Sequence, residues 1–316
     1  MGDEKVIAVV GATGAQGGGL VRAILRDSAS AFSVRALTRD PGTRRATALK
    51  DAGAAVVAAD LNDSASVHKA FEGAYAAFCV TFFWADLSPE KELAQAETMA
   101  DAARDCGVRH VIWSTLEDTR RLIPPSDNRI PTLMGRFKVP HFDAKGEADQ
   151  LFIDRGVPTT FLLTSFYWEN LIAFGMGPRT ARDGTPEITF PMGHAKLPGI
   201  AADDIGGCAY GIFKARDSFL GKRVGIAGEH LTGFELAASL SRALGQEIRY
   251  RDMSLPDYRR LPLVGAAELA NMFQFKRDFQ ELFCGARSVE QSRALHPALH
   301  TFETWLAENR HRISVT

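Results

Sequence analysis

Cysteine is scarce in this chain: Cys79, Cys106, Cys208 and Cys284 are the only four, and no two form a C-x-x-C pair. Spacing that wide argues against a disulfide framework and against a thiolate metal site, so no metal is expected. Free thiols instead point to a reducing compartment, the cytoplasm, with the nucleus as a second place for a regulator. An excess of one charge is also missing. Lys plus Arg is 37 and Asp plus Glu is 38, leaving a formal net charge of −1. No overall field therefore draws in nucleic acid or an anionic membrane surface. Long apolar runs are lacking as well. Tyr75–Ala85, broken by Thr81, is about half of the roughly 20 residues that a helical bilayer crossing needs. The opening MGDEKV has no cationic stretch of the secretory kind, and Val6 stands where a myristoylation pattern wants Ser or Thr. Neither repeats nor low-complexity segments occur. What remains, 46% apolar and 24% charged residues, is an ordinary globular composition, long enough for one two-lobed unit or two domains.

The chain is organised around VIAVV-GATGAQGGG-LVRAI, Val6 to Ile24. An apolar, largely β-branched run is followed by glycines and then by apolar residues at helical spacing, which predicts a buried strand, a tight turn and a helix. Gly11, Gly14 and Gly17 are spaced G-x-x-G-x-x-G. The first lets the chain reverse, the second lets backbone approach a bulky anion, and the third lets helix pack close on strand. Free N–H groups in the first helical turn, together with the helix dipole, favour a pyrophosphate there.

Strands and helices alternate onward. Ser33–Thr38, Ala54–Ala59, Ala74–Val80, Val108–Trp113 and Pro158–Leu163 read as strands. Thr43–Ala52, a helix capped by Asp63 and running to Glu72, Pro89–Cys106 and His141–Arg155 read as helices. Strands separated by helices need crossovers, so the expected fold is α/β, a doubly wound parallel sheet. Leu116–Pro140 and Phe166–Ile200 read as long connections at the carboxyl end of the sheet. The last third reads as mainly helical: Ala202–Lys214, Gly233–Leu244, Leu263–Phe275 and Pro297–Glu308, with short strands at Arg223–Ala227 and Ile248–Asp252. Residues 1–165 are expected to form the dinucleotide-binding domain. Residues 166–316 are expected to form a smaller lobe, with some segments returning to the sheet.

The end of the second strand bears on which dinucleotide binds. An NAD site has a carboxylate there for the ribose 2′-hydroxyl, whereas NADP needs a cation for the 2′-phosphate. This chain has Thr38-Arg39-Asp40, with Arg44 and Arg45 beyond. Arg39 favours NADP through its planar fork; one shift of register would make Asp40 the ribose ligand. Asp60 and Leu61, after the third strand, are candidates to flank adenine. Thr81, Phe82 and Phe83, after the fourth, are candidates for the middle of the cofactor.

GATGAQGG, VRALTRDP, HFDAKGEADQLF, GVPTT and YWENL, in that order, resemble the NmrA-like family of atypical short-chain dehydrogenase/reductases over nearly the whole chain. The resemblance implies a phosphate loop of Gly11, Ala12, Thr13, Gly14, Ala15 and Gln16, with Gly17 behind it. It also implies a 2′-phosphate region from Arg39 to Thr43, an adenine flank of Asp60 and Leu61, and a mid-cofactor wall from Thr81 to Phe83. Lys145 would hold the nicotinamide ribose, and Tyr167, Trp168, Glu169 and Asn170 would border the nicotinamide. Thr43 and Ala94 stand where a relative's pattern suggests lysine.

Reductases of the larger superfamily use Tyr-x-x-x-Lys, in which the phenol moves the proton and the lysine lowers its pKa. Here the pair is His141-x-x-x-Lys145. Lysine is in place and the phenol is not. His141, Lys145 and Ser114, with Thr115 beside it, are the candidates for any chemistry. Two readings stand. One is an NADP(H)-binding, redox-sensing regulator with a protein partner, or with a second copy of itself in a homodimer. The other is an NADPH-dependent reductase of quinones or other small electrophiles.

Overall fold

The computed structural model describes residues 5–316; the first four residues, which carry part of the argument against a secretory leader, lie outside the described residues. In chain order, β1 (Lys5–Val9) leads into α1 (Ala15–Arg26), β2 (Phe32–Thr38) into α2 (Arg44–Asp51), and β3 (Ala55–Ala58) into α3 (Ser64–Phe71). Next come β4 (Ala76–Cys79), α4 (Pro89–Asp105), β5 (His110–Thr115), α5 (Pro140–Asp154) and β6 (Thr159–Leu163). Side-chain oxygens of Thr43, Asp63 and Ser88 accept backbone N–H groups at the starts of α2, α3 and α4, where helix amides otherwise lack partners. Pro89 occupies the first turn of α4, where its missing N–H is harmless.

The chain continues with β7 (Phe166–Tyr167), α6 (Asn170–Ala173), β8 (Arg179–Thr180), β9 (Pro186–Phe190), β10 (Lys196–Ile200) and α7 (Ala202–Lys214). After β11 (Arg223–Gly225) come β12 (Glu229–Thr232), α8 (Gly233–Leu244), β13 (Arg249–Asp252), α9 (Leu255–Tyr258) and α10 (Ala266–Asp278). The last helices are α11 (Gln280–Gly285), α12 (Val289–Leu295) and α13 (Phe302–Asn309).

Seven strands form one sheet in the order β11-β6-β5-β4-β1-β2-β3. The pairs β1–β2, β2–β3, β1–β4, β4–β5 and β5–β6 are all parallel. The expected doubly wound α/β fold is therefore present. Strand order reverses between β1 and β4, and at such a reversal a crevice opens at the carboxyl ends of the strands. Both β4 and β5 are buried from end to end. On one face Trp113 stacks on Phe152 of α5, with ring centroids 5.2 Å apart. Full burial of rings like these contributes about 1.5–3 kcal/mol each.

The chain divides into two compact units. The first takes the chain through Asp118, then His141–Thr164 and Asp203–Val224; the second takes Thr119–Pro140, Ser165–Ala202 and Gly225–Thr316. In the first unit α7 packs directly on α1 through two glycines. A Cβ on Gly19 would lie 2.8 Å from the carbonyl oxygen of Asp203, and one on Gly206 would lie 2.0 Å from the Leu20 nitrogen. Arg22 closes that crossing with an ion pair to Asp203, its Nε 3.1 Å from Oδ2.

The second unit holds two three-stranded sheets, β12-β10-β7 and β13-β9-β8. Here the expectation for Phe166–Ile200 needs correction. Instead of a plain connection it carries β7, β8, β9, β10 and α6. Two-residue strands give no alternation to detect, and Pro186 and Pro198 read against strand. The helices Ala202–Lys214 and Gly233–Leu244 have the expected bounds, whereas β12, α9, α11 and α12 were not signalled.

Candidate functional site

The glycine turn sits at the carboxyl end of β1, at the point where strand order reverses. Gly11 has φ +64°, a left-handed conformation that side chains disfavour, and its carbonyl accepts the N–H of Gly14 at 2.8 Å. Gly17 is fixed by contact instead: a Cβ there would fall 2.5 Å from the Gly11 oxygen and 2.8 Å from the Val10 oxygen. Gly14 is the N-cap of the 12-residue α1, and no side chain caps the helix. A helix start left without a side-chain cap, with the dipole behind it, is the kind of place that suits an anion. Ser114, at the end of β5, donates to Oε1 of Gln16 at 2.8 Å and ties that strand to the turn.

Past β2, Arg39 is exposed, and no ion pair among the described residues holds its guanidinium. Asp40 is turned back on its own loop. Its Oδ1 accepts the Gly42 N–H at 2.7 Å, and its carbonyl lies 3.2 Å from the Thr43 hydroxyl. Thr43 caps α2. Past β3, Oδ1 of Asp60 accepts both the backbone N–H and the side-chain amide of Asn62, at 2.9 and 2.8 Å, while Leu61 packs partly buried against the core.

Deeper in the first unit, Lys145 projects from α5. Its Nζ lies 2.7 Å from Oε1 of Glu92, 2.6 Å from the Thr81 hydroxyl and 3.3 Å from the Thr81 carbonyl. The Trp113 ring centroid is 5.2 Å away. Thr81 in turn donates to Oε1 of Glu92 at 2.5 Å. At the other end of the same residue, the Lys145 carbonyl accepts from Trp113 Nε1 at 3.4 Å. One turn on, Asp149 accepts the Thr115 hydroxyl at 2.6 Å and pairs with Arg223. Burial pushes the Asp149 carboxyl up to about 6, with Arg223 and the Thr115 hydroxyl pulling the other way.

His141 is 6% exposed. The rings of Phe83, Trp84 and Phe142 lie 5.8, 5.1 and 4.7 Å from its own. It is embedded among aromatic side chains rather than open on a cleft. Phe82, by contrast, is 59% exposed.

Tyr167, Trp168, Glu169 and Asn170 belong to the second unit. Trp168 is 1% exposed and packs on Phe302 and Trp305. Glu169 accepts Trp305 Nε1 at 3.0 Å and the Ala202 N–H at 2.9 Å. Tyr167 pairs with Ile200 in the sheet, and Asn170 opens α6. Within this unit, then, Trp168 and Glu169 hold the core together. Among the described residues no His, Cys, Asp and Glu group could hold a metal ion, and no helix is long and apolar enough to cross a membrane.

Glu92 was missed in the sequence. Glu90 and Glu92 lie in the first turn of α4, where acidic residues complement the helix dipole whatever else they do. Only the tertiary fold reveals that one of them meets Lys145.

A parallel sheet with an uncapped glycine turn at its reversal point defines the class: a protein of the doubly wound, dinucleotide-binding fold. The chain belongs to the NmrA-like family, whose model matches residues 3–306. It is 30% identical over 294 residues to the NmrA-like family domain-containing oxidoreductase FrzB of a Cladobotryum species, covering 85% of this chain and 83% of that one. It is also similar to the solved structure of NmrA, a negative transcriptional regulator, in complex with NADP. The TM-score is 0.78 and the identity 25%, over 96% of this chain and 95% of that one. The same regulator in complex with NAD matches with the same figures. At 22% identity and TM-score 0.73, the NADPH-dependent quinone oxidoreductase QOR2 of Escherichia coli shares the fold, over 96% of this chain and 99% of its own.

Proposed function

We propose that this protein binds NADP(H) on its first unit and acts as a redox-sensing regulator. The observation that carries the reading is the uncapped N-terminus of α1, opened by Gly11 and Gly14, with the exposed Arg39 beyond the neighbouring strand. The donor set suits the ligand: helix-start amides for a pyrophosphate, a guanidinium for a 2′-phosphate, and a lysine ammonium for ribose oxygens. The commitment of the Asp40 carboxylate to Gly42 favours Arg39 over Asp40 as the residue that reads the adenine ribose. NmrA, a regulator solved with either dinucleotide, supports the binding role and leaves the choice between the two to this chain's own residues.

Two features favour regulation over turnover. The position four before Lys145 holds a histidine embedded among rings, not a phenol. The Lys145 ammonium is already engaged by Glu92 and Thr81, so it is occupied with holding rather than with activating a proton donor. Bound NADPH carries a transferable hydride; the residues of this chain bind and orient the nucleotide and supply no evident proton. Partners of the regulator would be a protein or a second copy of the chain.

A reductase of quinones or similar electrophiles is the second reading. It is favoured by the exposed Phe82, a surface on which a planar substrate could stack, and by the 30% identity to an oxidoreductase. Titration with NADPH, NADP, NADH and NAD, with turnover followed against quinones and aldehydes, decides between them. The regulator binds NADPH at micromolar concentration or below with no appreciable turnover. Reduction at about 1–1000 per second would establish the reductase instead.

A further inference from the structure

The ion pair between Lys145 and Glu92 is nearly dry, with side-chain exposures of 10% and 2%. Removing two charges from water is expensive, and well-packed apolar residues often stabilise a core as well or better. Stability alone is therefore a poor reason for this pair. Its place in the fold supplies a better one. Thr81 follows β4, the strand beside β1 across the reversal point, and Lys145 reaches the same spot from α5. Glu92 approaches from the first turn of α4.

We propose that Glu92 is a positioning residue for the nicotinamide half of the bound dinucleotide, acting through Lys145. The inference rests on the NADP(H) reading above. A lysine ammonium rides on a flexible four-carbon stem, and fixing it at the moment of binding would cost rotamer freedom. Glu92 removes that freedom beforehand. Its Oε1 lies 2.7 Å from the ammonium and 2.5 Å from the Thr81 hydroxyl, so one carboxylate oxygen sets both polar groups at the end of β4. The third contact of the ammonium, with the Thr81 carbonyl, is the longest at 3.3 Å. It is the one that a hydroxyl of the nicotinamide ribose would displace most cheaply, leaving Glu92 and the Thr81 hydroxyl in place. The adenine end, at Arg39 and Asp60, is served by other strands, so the effect of Glu92 should be confined to one half of the ligand.

The test compares two ligands on the intact protein: NADPH, and adenosine 2′,5′-bisphosphate, which has the 2′-phosphate but no nicotinamide ribose. In Glu92→Gln, NADPH binding measured by calorimetry should weaken about tenfold or more, the scale of one charge-assisted hydrogen bond. The bisphosphate should change by less than about twofold. Glu92→Asp keeps the charge but is one methylene shorter, so it should weaken NADPH binding by a smaller factor with the same selectivity. It also carries the test should Glu92→Gln fail to fold, as judged by thermal melting. Equal losses for both ligands, or none for either, would overturn the positioning role. Failure of the wild-type protein to bind either ligand would overturn the dinucleotide reading itself.

Discussion

Gln16 and Ser114 are separated by 98 positions and joined by a hydrogen bond of 2.8 Å. The first belongs to the opening turn of α1, the second to the end of β5, two strands away from β1 in the sheet. The bond ties the glycine turn to the end of β5, and on the proposed NADP(H) reading it braces the loop that receives the pyrophosphate. Ser114→Ala should therefore lower dinucleotide affinity by about two- to tenfold, matching the 0.5–1.5 kcal/mol of an ordinary hydrogen bond. Calorimetric titration measures it; an unchanged affinity would make the bond a packing detail.

The two inner glycines should respond differently to substitution. At Gly14 an added Cβ meets only the Gly11 oxygen, at 3.1 Å, whereas at Gly17 it would lie 2.5 Å from that oxygen. Gly14→Val should abolish NADPH binding while leaving the fold largely intact. Gly17→Ala should destabilise the protein by about 1–3 kcal/mol, the usual scale of overpacking. Denaturant melts run beside ligand titrations separate the two.

Arg39→Ala should weaken NADPH by roughly 10- to 150-fold, equivalent to about 1.5–3 kcal/mol for a charge-assisted contact. NADH should be affected little, because it carries no phosphate at that place. Comparable losses for both would assign Arg39 a structural task and return Asp40 to the ribose.

Two buried groups give acid stability opposing slopes. Desolvation raises Asp149 to about 6, against Arg223 and Thr115. Desolvation, with help from Arg216, lowers His110 to about 4. Unfolded references are near 3.9 and 6.5. Between about pH 4 and 6 folded Asp149 holds its proton more tightly than the unfolded chain does, so its contribution falls as pH rises. Over about pH 4 to 6.5 the unfolded chain takes up the proton that folded His110 refuses, so that contribution grows as pH rises. The upper bounds are about 3 kcal/mol for Asp149 and about 3.5 kcal/mol for His110. Relative to wild type, Asp149→Asn should gain stability as pH rises through its window, and His110→Gln should lose it. Urea melts across this range read both; slopes of the same sign would refute the assignment.

The sheet was legible because its punctuation is local. Glycines, Asp63 and Pro89 mark element ends within a few residues of where they act, and the glycine turn combines such marks with a buried strand. The partners of the site side chains were not legible. His141 reads as an open early-helix residue, yet Phe83 and Trp84 enclose it from a segment far upstream. Lys145 could be placed by its spacing, but its carboxylate partner lies on a different helix, where one glutamate looks like another. The second unit suffered most, because two-residue strands and proline-bearing strands erase the alternation that sequence reading depends on.

The glycine contact between α1 and α7 bears on how the chain is made. Arg22 and Asp203, which close that crossing, are 181 residues apart. A ribosome releases the glycine turn early, yet the helix behind it gains its lateral partner only after α7 has emerged. Until then the groove left by Gly19 is open, and contacts of such long range are slow to form. A truncated product ending after β6 would lack this partner and carry an exposed helix face. Helix α1, which opens at the glycine turn, thus completes its lateral packing only after strands β1 to β10 have all been synthesised.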